Sequence, residues 1–155
     1  VRDSPVSEYA APRKRLIAGC LGALAFLTSC SGGVTGAVST AVEDSSSAIA
    51  TARLALRQDT DGKLTRAAAS TALDDALKEL LASRDTVLKL SPGTDEARAT
   101  VQETLTVLDA CAAGLTTARD SVASDDGAPS REDGSRELAS AADRLSGLTA
   151  TEGGK

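Results

Sequence analysis

From Val34 onward the apolar positions recur at three- and four-residue steps, and polar breaks divide them into four runs. The first spans about 34–57, with Val38, Val42, Ile49, Ala52 and Leu56 on the repeat, and ends at Asp59-Thr60-Asp61-Gly62. The second spans about 64–90 and places Leu73, Leu77, Leu80, Leu81, Val87 and Leu88 on one side, until Ser91-Pro92-Gly93 stops it. The third opens on Thr94 as N-cap, with Asp95 and Glu96 set against the positive end of the helix dipole. It carries Val101, Leu105, Leu108, Ala112, Leu115 and Val122, four of which (Val101, Leu108, Leu115, Val122) fall seven apart and form a seam of the coiled-coil kind. Asp125 to Gly134, with Gly127, Pro129 and Gly134, reads as a break. A shorter fourth run covers about 135–149, with Leu138, Ala142, Leu145 and Leu148, and residues 151–155 read as a disordered tail.

Steps of three and four are the period of an amphipathic helix. No segment alternates apolar and polar residues between hairpin turns, so no strand competes. Short connections set neighbouring helices antiparallel. The expected fold over 34–150 is therefore all-α, an up-down antiparallel four-helix bundle.

The chain ahead of Val34 has a different pattern. Arg13-Lys14-Arg15 precedes an uncharged stretch, Leu16 to Leu27, which has the length of a signal-peptide core and is too short to span a bilayer. It ends in Leu27-Thr28-Ser29-Cys30. This combination resembles the signal peptide and lipobox of bacterial lipoproteins. The resemblance covers about eighteen residues and implies diacylglyceryl transfer to the Cys30 thiol, cleavage before Cys30, and acylation of the new amino terminus. Ile17-Ala18-Gly19-Cys20 fits the local pattern too, but only Leu16 to Gly19 would then lie between Arg15 and the cysteine, ~6 Å of helix and too little apolar length to enter a membrane. Residues 1–29 are thus expected to leave as a signal peptide, including the segment ahead of the cations that carries Asp3 and Glu8, and residues 30–33 to serve as a lipidated tether.

Removing the leader sharpens the composition. Residues 30–155 keep 13 of the 17 Lys and Arg and 20 of the 22 Asp and Glu, so the formal charge moves from −5 to −7. Both aromatic residues, Tyr9 and Phe26, lie in the leader, and the rest of the core must be built from Ala, Val, Leu and Ile. The acidity and the missing aromatic faces argue against nucleic-acid binding. An anionic domain is also repelled by anionic headgroups and should stand off the membrane that anchors it. Ala-rich usage with Arg favoured over Lys fits a GC-rich genome and, with the lipoprotein resemblance, suggests an actinobacterium.

Candidate chemistry is sparse. The chain has no His, which removes imidazole catalysis and His-containing zinc sites. Aligning Gly62 with the glycine of an EF-hand loop puts Asp59 and Asp61 at its third and fifth positions and Leu64 at its eighth, yet Arg57 takes the first and Ala68 the twelfth, so an acidic turn is expected rather than a calcium site. Cys111, set among alanines, is expected to be a small buried apolar residue. The pairs Asp74-Asp75, Asp95-Glu96, Asp125-Asp126 and Glu132-Asp133 are sequence neighbours, and neighbours on a helix do not face each other. Asp74 with Lys78, Asp85 with Lys89 and Glu132 with Arg136 have the spacing of ion pairs along one helix face.

An anchor, a helical bundle and no catalytic set lead to one expectation: a non-enzymatic lipoprotein held by acylated Cys30 at the extracytoplasmic face of the cell membrane, without a cofactor, engaging another envelope protein through an exposed strip of Ala and Leu on the first or fourth helix that receives a partner helix. The alternative is a carrier that encloses a small apolar ligand or lipid among its helices.

Overall fold

The computed structural model describes residues 33–152, and the expected four-helix bundle is what these residues form. The elements are α1 (Val34–Thr60), α2 (Arg66–Leu88), α3 (Asp95–Ala123) and α4 (Arg131–Glu152). Consecutive helices pack side by side, α4 closes the ring against α1, and α1 also meets α3 across the diagonal. Val34 and the end of α4 therefore lie at one end of the bundle, with the α1/α2 and α3/α4 connections at the other.

The helix ends explain the topology. The Asp59-Thr60-Asp61-Gly62 turn is a Schellman stop: Gly62 adopts φ +68°, its N–H donates to the Asp59 carbonyl at 3.0 Å, and the Lys63 N–H donates to the Gln58 carbonyl at 2.8 Å. The left-handed conformation at Gly62 costs a residue without Cβ little and reverses the chain there. Thr65 and Thr94 cap α2 and α3 by accepting the N–H groups of Ala68 at 3.3 Å and Ala97 at 3.1 Å.

The fourth helix differs from the expectation. It begins at Arg131, not near Ser135, and runs to Glu152. Ser130 and Asp133 form a capping box: Ser130 Oγ accepts the Asp133 N–H at 3.1 Å, and Asp133 Oδ2 accepts the Ser130 N–H at 3.1 Å. This reciprocal pair satisfies donors that a helix start leaves open. Gly134, read from sequence as a breaker, is a buried interior residue of α4.

The seven-residue spacing seen in α3 organises all four helices. Large side chains recur at Val42, Ile49 and Leu56, at Leu73, Leu80 and Val87, at Val101, Leu108, Leu115 and Val122, and at Leu138 and Leu145, all 5% exposed or less. Between them stand small residues: Ser45 and Ala52; Ala69, Ala76 and Ser83; Thr104, Cys111 and Ala118; Gly134 and Ala141. Alternating large and small side chains lets facing layers interdigitate, which is how a core without aromatics stays filled. Leu81 and Leu88, expected on the buried side of α2, are instead 43% and 49% exposed, because Ser83 and Val87 hold the inward register. Likewise Cys111 and Ala141 hold core positions, while Ala112 and Ala142 are only partly buried.

Three of the four buried hydroxyl residues, Ser45, Thr104 and Ser121 but not Ser83, bond within their own helices. Ser45 donates to the Ala41 carbonyl at 2.7 Å, Thr104 to Thr100 at 2.8 Å and Ser121 to Ala118 at 2.6 Å. Among the described residues no buried side-chain nitrogen or oxygen lacks a partner, so small polar residues occupy core positions without an unmet desolvation cost.

Candidate functional site

The register of α1 continues past Ala52 to Asp59, and that of α4 begins, seven residues before Leu138, at Arg131. The top layer of the core is thus an ion pair. Arg131 Nε donates to Asp59 Oδ2 at 2.6 Å, and a second guanidinium nitrogen reaches the Ser121 carbonyl at 3.3 Å. That carbonyl lies in the last turn of α3, where the helix leaves its acceptors open. The Asp59 carboxylate is 6% exposed and the Arg131 side chain 31%. One side chain therefore ties together the ends of α1 and α3 and the start of α4.

Beside this pair the three helices approach closely. A Cβ at Gly134 would fall 2.7 Å from Ser121 Oγ and 2.9 Å from the Ala118 Cα, so the glycine is required for the packing of α4 on α3. Outward of it, α1 and α4 leave an open groove of about 640 Å³. Ala50, Arg53, Leu54 and Arg57 line one wall and Arg131, Glu132 and Ser135 the other. Leu54 is 45% exposed.

The charges in the groove fall into three groups. Arg131 is committed to Asp59, and Asp61 to Lys63 at 3.0 Å, while Glu132 on the facing wall is exposed and has no ion-pair partner among the described residues. Arg53 and Arg57, one turn apart on α1, have no ion-pair partner among the described residues. No other two unpaired cations among those residues stand one turn apart. A second, smaller groove of about 340 Å³ lies between α1 and α2 near the opposite end and is lined by Ala37, Thr40, Asp44, Glu79 and Ala82.

The side chains considered from sequence are placed as follows. Leu27, Thr28, Ser29 and Cys30, with Cys20, lie outside the described residues. Cys111 is fully buried, its Sγ 3.7 Å from the Ala141 carbonyl, and burial pushes its thiol up to about 11. Asp59 and Asp61, the carboxylates of the EF-hand comparison, each face a cation, and among the described residues no three His, Cys, Asp or Glu side chains gather to hold a metal.

None of the three expected intrahelical pairs forms among the described residues: Asp85 and Lys89 share no ion pair, and the other two are replaced. Asp74 joins Arg119 of α3 at 3.2 Å rather than Lys78, and Arg136 joins Asp133 at 3.1 Å rather than Glu132. Arg84 of α2 meets Asp109 of α3 at 2.5 Å, so α2 and α3 are laced by two ion pairs at their solvent edge. The carboxyl groups of Asp133 and Asp126 are held below the usual range, the first by the hydroxyl and N–H of Ser130, the second by the Ser124 hydroxyl and the Ala128 N–H. Both serve caps and loops.

Sequence reasoning missed the Asp59–Arg131 pair and the Arg53–Leu54–Arg57 wall. A signal for the pair existed, since each residue extends a seven-residue series that is otherwise apolar or small. Nothing in the sequence showed that α1 and α4 leave a groove beside it. Comparison with family models, curated proteins and solved structures found no match in any of the three.

Proposed function

We propose that the protein is a lipoprotein, anchored through acylated Cys30 to the extracytoplasmic face of the cell membrane, whose helical bundle engages another envelope protein without catalysing a reaction. The observation that carries the reading is the order of segments. A cationic triplet, a short apolar stretch and Leu27-Thr28-Ser29-Cys30 are followed within four residues by the start of α1 at Val34. The bundle thus begins where a lipidated domain would begin, and the tether from Cys30 spans at most ~14 Å.

The grooves favour a macromolecular partner over a small apolar ligand. Both lie open along helix pairs and are lined with charged and small side chains, whereas apolar ligands favour enclosed, mostly apolar cavities. No helix among the described residues is long and apolar enough to cross a membrane, so attachment in this reading rests on the acyl chains. Lipidation with two or more chains gives stable anchoring where one does not.

Crosslinking in intact cells, followed by identification of the adducts, tests the interaction role. Recurrent capture of one envelope protein is the expected result, and recovery of lipid adducts alone would contradict it.

A further inference from the structure

We infer that the groove between α1 and α4 is the docking surface, and that it receives an amphipathic helix of a partner protein that presents carboxylates on either side of an aliphatic residue. This rests on the reading of the protein as an interaction module and names the surface and the partner's chemistry.

Charge is the first argument. The chain is acidic overall, yet one wall of the groove carries Arg53 and Arg57 on successive turns, both exposed and both without an ion-pair partner among the described residues, with Leu54 beside them. Other arginines at helix edges are used internally: Arg66 with Asp125, Arg84 with Asp109, Arg119 with Asp74, and Arg131 with Asp59. Arg53 and Arg57 are left for something outside the bundle. Carboxylates one turn apart on a facing helix match their spacing, since residues four apart on a helix are neighbours on its surface. A leucine between them supplies apolar contact that a polyanion would not use, which favours a protein helix.

Position is the second argument. Arg53 lies nineteen residues beyond Val34 along α1, ~29 Å from the end that carries the tether. Screening in physiological salt reduces headgroup electrostatics over ~8 Å. For a bundle that stands upright on its tether, this separation takes the guanidinium groups beyond the reach of headgroup electrostatics and leaves them to a protein partner. The build of the groove supports the same occupant. Ala50 keeps α1 narrow, while the Asp59–Arg131 pair and the close packing at Gly134 fix α1 and α4 at this end, so a helix would meet a preformed surface.

Two readouts test the proposal on the full lipidated chain in discs of zwitterionic lipid and in cells. In the first, a labelled helical peptide with two Glu one turn apart and a Leu between them on the same face (Glu-x-x-Leu-Glu) is titrated by fluorescence anisotropy, against the same peptide with Lys in place of Glu. The Glu peptide should bind, and should weaken about tenfold with Arg53→Glu/Arg57→Glu, a change that touches only exposed side chains. Equal binding of the Lys peptide, or no loss in the double variant, would overturn the proposal. In the second, a photo-crosslinking residue is placed at Leu54 or at the exposed Leu81 of α2. Adducts to one protein from position 54 support the groove. A protein adduct from position 81 alone overturns the groove and leaves the interaction role standing, and absence of protein adducts from both overturns that role as well.

Discussion

Asp59 and Arg131 are separated by 72 residues, yet Arg131 Nε donates to Asp59 Oδ2 at 2.6 Å inside the top layer of the bundle. The two side chains are unequal in burial, 6% for the carboxylate and 31% for the guanidinium. Removing one partner leaves the other to bear its desolvation alone, and the deeper group bears more. Arg131→Met should therefore cost about 3 kcal/mol and Asp59→Ala about 2 kcal/mol. Replacing both with Leu should cost less than either single change. Chemical denaturation of the four proteins checks the order, and equal losses from the two single variants would show that burial does not set the cost.

Two glycines of α4 should respond to alanine with opposite signs. At Gly134 the added methyl meets Ser121 Oγ and the Ala118 backbone below 3 Å, and overpacking of this kind costs about 1–3 kcal/mol. At Gly147 nothing lies within 4 Å of the new Cβ, and the gain in helix propensity is about 0.5–1 kcal/mol. Thermal melting of both variants measures this contrast, with Tm falling for Gly134→Ala and rising for Gly147→Ala.

The thiol of Cys111 should be inert in the native protein. Its pKa is pushed up to about 11 by burial, so it stays protonated at neutral pH, and the thiolate is the reactive form. Because the unfolded chain releases this proton at a lower pH, stability should decline as pH rises from about 9 towards 11. A thiol reagent at pH 8 should label Cys111 only when denaturant is added, and stoichiometric labelling within minutes in buffer would contradict its burial.

Acid should loosen the start of α4. The Asp133 carboxyl is held below its ordinary value by the Ser130 hydroxyl and N–H, so in the carboxylate range the unfolded chain binds the proton first and stability falls as pH drops. Asp133→Ala removes the capping box. The variant should be less stable than the parent at neutral pH, and the gap should close as pH falls through the native pKa. Paired melts from pH 7 to pH 3 follow the difference, and a gap that stays constant would show that the charged form contributes nothing.

How much of this was legible in the sequence depends on which force sets each feature. The four helices followed from apolar periodicity, since burial of one face is a pattern along the chain. Gly134 reads in sequence as a breaker and puts the start of α4 four residues late, whereas its role is close packing against Ser121, a residue of another helix. The Ser130–Asp133 capping box is a local Ser-x-x-Asp pattern and is open to reading from sequence. Leu81 and Leu88 read as inward because hydrophobicity alone does not choose a register. Their neighbours Ser83 and Val87, on the inward three-and-four series with Leu80, do. The partners of Asp74 and Asp59 are in other helices, so local spacing pointed to Lys78 for the first and to no partner for the second.

Placement at the membrane, in the proposed function, rests on attachment through Cys30. Metabolic labelling with a fatty acid analogue in a bacterial host, comparing the parent chain with Cys30→Ala and Cys20→Ala, addresses it directly. Label on the parent and on Cys20→Ala that disappears in Cys30→Ala is the predicted result. Label that persists in Cys30→Ala, or a parent chain that takes up none, would contradict it.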